Sequence, residues 1–163
     1  MALDNFIALL LLMGFAGLLV RAAWCDLQSR RVPNAVCGAV IGLYPLVFLT
    51  GLAPAPWWGG AAAALAVFAV GAGLFAFNIL GGGDVKLASA VALWAGPALI
   101  AEFLLAMALT GGVLVFIGRM RPALLFSVAY VFNPQTGGRL ASVPYAIAIA
   151  AGGLWIAYRL LAA

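Results

Sequence analysis

Histidine is absent from this chain of 163 residues, and cysteine occurs only twice, as Cys25 and Cys37. Without an imidazole there is no general base for Ser-His or Cys-His catalysis. The same lack excludes a zinc site of the usual Cys/His kind. The hydrolytic arrangements that remain are a pair of carboxylates and a Ser-Lys pair.

Charge is scarce as well, because charged residues make up 7% of the chain and hydrophobic residues 67%. The mean hydropathy is +1.22. A soluble protein needs polar residues to cover its surface, so this composition predicts an integral membrane protein. No linker-like or low-complexity stretch divides the sequence. We therefore expect residues 1–163 to form a single membrane-embedded domain.

Apolar stretches bounded by charge, proline or glycine predict the membrane helices. A spanning helix needs about 20 apolar residues. Six segments can be fitted, at residues 6–24, 35–52, 58–79, 85–100, 102–118 and 143–160. The predicted fold is all-α and polytopic, with about six transmembrane helices. Residues 122–132 are apolar enough to form a short helix along the interface.

The basic residues predict the orientation of these helices. With the N-terminus outside, the connections after the first, third and fifth helices face the cytoplasm. They carry most of the cations: Arg30, Arg31, Lys86, Arg119, Arg121 and Arg139. This bias satisfies the positive-inside rule. The net charge of +4 then reflects contact with membrane lipid, and no basic stripe with interleaved aromatics indicates nucleic acid. The start of the chain has no basic n-region, so we expect the first helix to be retained.

Two of the four acids, Asp26 and Asp84, fall at the cytoplasmic boundary in this topology. Two aspartates that share one proton cannot both ionise easily, so one can activate a water while the other donates to a scissile carbonyl oxygen. The glycines before Asp84, which are Gly81, Gly82 and Gly83, have no Cβ and would let a substrate backbone come close. This pattern predicts an aspartyl protease that needs no metal and no cofactor.

Each aspartate also has a purely structural interpretation. Asp84 directly precedes an apolar helix and can cap it. Asp26 can pair with Arg30, four residues further along the same helix. Two such acids on one predicted face favour a chemical role over two separate structural roles.

The sequence resembles the type IV prepilin peptidases, polytopic aspartyl proteases of bacterial inner membranes. Gly81-Gly82-Gly83-Asp84 matches their G-x-G-D motif, and Asp26 followed by Arg30-Arg31-Val32-Pro33-Asn34 is similar to their other catalytic segment. The resemblance extends to Val143-Pro144-Tyr145-Ala146-Ile147 at the start of the last predicted helix. It implies that Asp26 and Asp84 are the catalytic pair.

The resemblance also implies the reaction, which is removal of a short leader from prepilin or pseudopilin proteins at the cytoplasmic face. Larger family members carry a zinc-binding segment with paired C-x-x-C motifs and methylate the new N-terminus. This chain has two cysteines and no such insert. It is therefore similar to the compact branch that processes Flp or tight-adherence pilins. The sequence does not indicate an oligomeric state.

Substrates of that family carry a glutamate a few residues beyond the cut. We expect a cation near Asp84 or Asp26 to meet this glutamate, and the candidates for substrate binding are Lys86 and Arg30.

Three other interpretations remain. A Ser-Lys peptidase would use Lys86 and Ser89, which share a helix face. A small proton-coupled transporter subunit would use the two aspartates as a relay. A presenilin-like protease shares G-x-G-D, but its Tyr-Asp is Cys25-Asp26 here.

Overall fold

The computed structural model describes residues 2–29, 31–48, 56–120 and 145–162. Its regular structure in these ranges is helical throughout. The five helices are α1 (Ala2–Ser29), α2 (Asn34–Phe48), α3 (Trp57–Ala76), α4 (Gly82–Met120) and α5 (Tyr145–Leu161). The all-α prediction is confirmed for this part of the chain. Among the described residues, three segments are long and apolar enough to cross a membrane, namely Phe6–Ser29, Trp57–Ala76 and Gly82–Ile117.

Some expectations from the sequence lie outside the described residues. They are the interfacial helix at 122–132, the cations Arg30, Arg121 and Arg139, the end of the second helix at 52 and the start of the last at 143.

A sharp break at Gly96 divides α4 into two parts. Gly96 has φ 56° and ψ −174°, a backbone conformation that is open to glycine because it has no Cβ. Pro97 follows and has no N–H to continue the helical hydrogen bonds. The sequence had suggested this boundary near Ala101, and that position was wrong because residues 97–120 form one helix through it.

The chain reverses direction at this break. Gly152 and Gly153 are neighbours on α5, yet Gly152 lies against Phe103 and Gly153 lies against Val91. These two contacts come from opposite sides of Gly96, so residues on either side of it lie at the same level of α5. Residues 97–120 therefore run back beside residues 82–95.

Close packing of α3 on the first part of α4 depends on glycine. A Cβ at Gly60 would lie 2.6 Å from the Leu93 carbonyl oxygen, and one at Gly71 would lie 2.9 Å from Val85 Cγ1. Lipid is as apolar as a leucine side chain, so helices in a bilayer associate largely through such close contacts. This contact fixes the part of α4 whose beginning carries Asp84.

Trp94 joins the first part of α4 to α1 and α2. Its ring stacks on Phe15 with the centroids 4.1 Å apart. Its Nε1–H donates to the Val40 carbonyl at 3.0 Å, so the buried indole has a hydrogen-bond partner. The helices that carry Asp26 and Asp84 are thus held together in the core.

We expect Gly60→Ala to lower the free energy of unfolding by about 1–3 kcal/mol, because overpacking forces neighbours apart. The new Cβ would overlap the Tyr44 hydroxyl and press on the Leu93 carbonyl. The measurement is thermal unfolding in detergent. Gly73→Ala is the matched control on α3, since a Cβ there would have no described atom within 4 Å. Equal midpoints for the two variants would contradict the close α3–α4 contact.

Candidate active site

Asp26 lies in the last turn of α1 and is only 7% exposed. Its Oδ2 accepts a hydrogen bond from the Ala146 N–H at 3.4 Å. Ala146 is the second residue of α5, so its amide is one of those that a first helical turn leaves without an intrahelical acceptor. The amino end of a helix also carries partial positive charge. The start of α5 therefore provides a favourable environment for an anion at Asp26.

Asp84 is the third residue of α4 and is partly buried. Its carboxylate accepts a hydrogen bond from the Gly81 N–H, which is the reciprocal half of a capping box. The sequence suggested that Asp84 precedes the helix and caps it, whereas the helix begins two residues earlier and Asp84 caps it from within the first turn. This capping role does not exclude chemistry, because a carboxylate has two oxygens and about four acceptor sites.

The two carboxylates lie near each other. The carboxylates of Asp26 and Asp84 are close enough for electrostatic repulsion between their negative charges. The turn before Asp84 also meets the loop after α1, since a Cβ at Gly83 would lie 3.4 Å from Val32 Cβ. Neighbouring carboxylates resist simultaneous ionisation, so this pair is suited to hold one proton between two groups with different roles.

Each of the three glycines before Asp84 lies close to another residue of the protein. A Cβ at Gly81 would lie 2.8 Å from Asp84 Oδ2, and one at Gly82 would lie 3.3 Å from Phe75 Cε2. Gly83 faces Val32, as described above. Because Gly81 has no Cβ, the Asp84 carboxylate can lie directly against it. Close approach of a substrate backbone to this turn stays a prediction.

Lys86 lies on the α2 side of this turn. Its Nζ donates to Asn34 Oδ1 at 3.0 Å. The Cys37 thiol is buried and lies near enough to Lys86 and Asp84 to interact electrostatically with both. Asn34 belongs to the segment that was compared together with Asp26, but neither Asn34 nor Cys37 was among the predicted site residues. Arg30, the other candidate cation, lies outside the described residues.

The structure separates the two members of the alternative Ser-Lys pair. Ser89 Oγ is buried and donates to the Val85 carbonyl at 2.8 Å, within its own helix. The Lys86 ammonium instead reaches Asn34 on α2. A lysine that activates a serine must contact the hydroxyl. The contacts therefore favour the aspartates as the reacting groups.

A transporter relay would need acids along a path across the bilayer, whereas Asp26 and Asp84 lie together at one end of the helices. Within the described ranges, no three His, Cys, Asp or Glu side chains come close enough together to hold a metal ion.

Comparison with known protein families gives a match for this chain. The model of the type IV leader peptidase family matches residues 8–116. The chain belongs to the type IV leader peptidase family. The matched residues include Asp26, Asp84, the three glycines before Asp84 and the reversal at Gly96. The match ends before α5 begins. Together with the long apolar helices, it makes the chain a membrane protein of a peptidase family. No curated protein and no solved structure matches the chain.

Proposed function

We propose that this chain is an aspartyl endopeptidase that removes the short leader of prepilin-like proteins at the cytoplasmic face of the bacterial inner membrane. The observation that carries the proposal is the neighbourhood of Asp26 and Asp84, whose chain segments meet where Gly83 faces Val32. Membership of the leader peptidase family supports the reaction class. The low cysteine content supports the compact Flp or tight-adherence branch, without methyl transfer.

In the proposed mechanism, Asp26 is the base and Asp84 is the acid. The hydrogen bond from the Ala146 amide stabilises the ionised form of Asp26. Ionised Asp26 takes a proton from a water molecule while the oxygen of that water adds to the scissile carbonyl carbon. Protonated Asp84 donates to the carbonyl oxygen. When the C–N bond breaks, the leaving nitrogen takes the proton from Asp26, and the hydroxyl of the intermediate returns a proton to Asp84. Both carboxyl groups end in their starting states.

The proposed topology has six crossings, with residues 1–163 as one membrane domain and the N-terminus outside. The reversal at Gly96 supports it, because α4 then supplies two of the six helices. Asp26 contacts the start of α5, and Glu102 contacts Arg159 near its end. The aspartates and Glu102 therefore belong to opposite sides of the membrane. Lys86 lies on the aspartate side, which by the positive-inside rule is the cytoplasm.

An apolar groove of about 700 Å³ supports a membrane-embedded substrate. It runs between α3 and the second part of α4, and its lining includes Val85 and Tyr145. Val85 adjoins Asp84, and Tyr145 adjoins the Ala146 amide that bonds Asp26. A pilin helix in this groove would bring the peptide bond just before it to the two aspartates.

We expect Lys86→Glu to lower the cleavage rate by about tenfold, mainly through KM, because it places a like charge opposite the substrate glutamate. The measurement is a Michaelis–Menten series on a Flp-type prepilin. Lys86→Arg is the control and should stay within about threefold of wild type, since it keeps the charge. Reversing the substrate glutamate to lysine should restore cleavage by Lys86→Glu. Unchanged KM in Lys86→Glu would contradict the role of this cation.

The function itself is tested by co-expressing the chain with a Flp-type prepilin in cells that lack their own leader peptidase. Intact mass of the pilin should show loss of the leader and an unmethylated N-terminus. A parallel strain with a known leader peptidase provides the positive control. A prepilin that this control cleaves and the chain leaves intact would contradict the proposed function.

A further inference from the structure

Polar contacts hold α5 at both of its ends. At its start, the Ala146 N–H donates to Asp26 Oδ2 at 3.4 Å. Near its other end, Arg159 Nη1 donates to Glu102 Oε1 at 2.6 Å, and Trp155 Nε1 donates to Glu102 Oε2 at 2.9 Å. Glu102 lies in the second part of α4, just beyond the reversal. One carboxylate therefore contacts two side chains near the far end of the helix whose first turn contacts Asp26.

Between these two ends, α5 packs through both large and small residues, because Ile149 and Ile156 are buried along with several of its glycines and alanines. A Cβ at Gly111 of α4 would lie 3.6 Å from Ala148 Cβ, and Gly152 lies directly against Phe103. The small residues allow the helices to come close. The polar contacts at the two ends add a directional constraint to this packing, because a hydrogen bond depends on distance and angle and is lost when the helix shifts along its axis.

The axial position of α5 matters at the scale of one residue. Ala146 and Arg159 are 13 residues apart in the sequence, which is about 20 Å along a helix. A shift of α5 by one residue moves its first turn by about 1.5 Å. The contact between Ala146 and Asp26 already measures 3.4 Å, so such a shift away from Asp26 would break it.

We propose that Glu102, Arg159 and Trp155 are positioning residues for the aspartate pair. Their contact sets the axial position of α5 and so keeps the Ala146 amide on Asp26, from the opposite end of the helix. Because the family match ends at residue 116, this contact also ties the matched part of the chain to a helix outside the match. The link to catalysis rests on the proposed function, whereas the link to the position of α5 does not.

The test compares Arg159→Met, Glu102→Gln and the exchange Glu102→Arg/Arg159→Glu with wild type in detergent. Both single variants should lower kcat by about 10- to 100-fold, because a displacement of about 1 Å at a catalytic group has that cost. KM should stay within about twofold, since neither side chain lines the apolar groove. The exchange should recover most of kcat. Leu161→Ala is the matched control, because Leu161 is exposed at the same end of α5.

Hydrogen–deuterium exchange over residues 145–150 gives a second measurement that does not need activity. The Ala146 amide should exchange faster in both single variants and regain protection in the exchanged pair. Wild-type kcat and unchanged protection in the single variants would overturn the proposal. A lower unfolding temperature with an unchanged kcat per folded molecule would overturn it too. If wild type cleaves no prepilin, the proposed function fails, and the hydrogen exchange alone decides the positioning role.

Discussion

Asp84→Asn and Asp26→Asn are each expected to slow leader cleavage by about 10³-fold, the usual contribution of a general acid or base. Asparagine has nearly the shape of aspartate and keeps a side-chain oxygen. It can still accept the Gly81 N–H at position 84 and the Ala146 N–H at position 26. The substitutions therefore remove ionisation while they preserve the caps. A loss of rate without a loss of fold separates the chemical role from the structural one.

This result is measured as the time course of prepilin mass with purified protein in vesicles. Ser89→Ala is the matched control, since its hydroxyl donates to Val85 in its own helix and has no role in the mechanism. We expect its rate to stay within about twofold of wild type, as for substitutions away from the reacting groups. Asp84→Asn with more than one-tenth of the wild-type rate would contradict the assignment of the acid.

Gly81→Ala is expected to lower kcat by about 10- to 100-fold, because its Cβ would displace the Asp84 carboxylate. That Cβ would lie 2.8 Å from Asp84 Oδ2, closer than real Cβ contacts. Gly81 does not have a positive φ, so alanine can adopt its backbone conformation and the fold should persist. The effect should therefore appear in kcat and not in the unfolding temperature.

Gly82→Ala is the matched control for this prediction. The nearest atom to its Cβ would be the edge of the exposed Phe75 ring, at 3.3 Å, and that side chain can move aside. Its kcat should remain at least several-fold above that of Gly81→Ala. Equal losses in the two variants would show that any side chain in this turn impairs the enzyme, and the specific contact with Asp84 would be excluded.

Composition and motif spacing were sufficient to predict an all-α membrane protein whose two aspartates lie near each other. The position of the reversal in α4 was harder to predict. Hydropathy is nearly uniform on both sides of Gly96, so apolar run lengths cannot locate a turn there. The dipeptide Gly96-Pro97 was the available indication, since glycine and proline are strong breaks in a helical pattern.

The contacts around the aspartates could not be predicted because they join residues that are distant in sequence. Glu102 binds Arg159, which is 57 residues away. Lys86 meets Asn34 across 52 residues. The Ala146 amide that bonds Asp26 belongs to the backbone, so no residue type indicates it. Such contacts follow from the packing of α2 and α5 on α4.

The proposed mechanism requires Asp26 and Asp84 to act together on one peptide bond. The most direct measurement is the single-turnover cleavage rate of a Flp-type prepilin by wild type, Asp26→Asn, Asp84→Asn and the double variant, at equal amounts of folded protein. Groups that act as a unit give non-additive losses. We expect the double variant to be about as slow as either single variant, with all three far below wild type. Near-wild-type cleavage by either single variant, or single losses that multiply in the double variant, would contradict it.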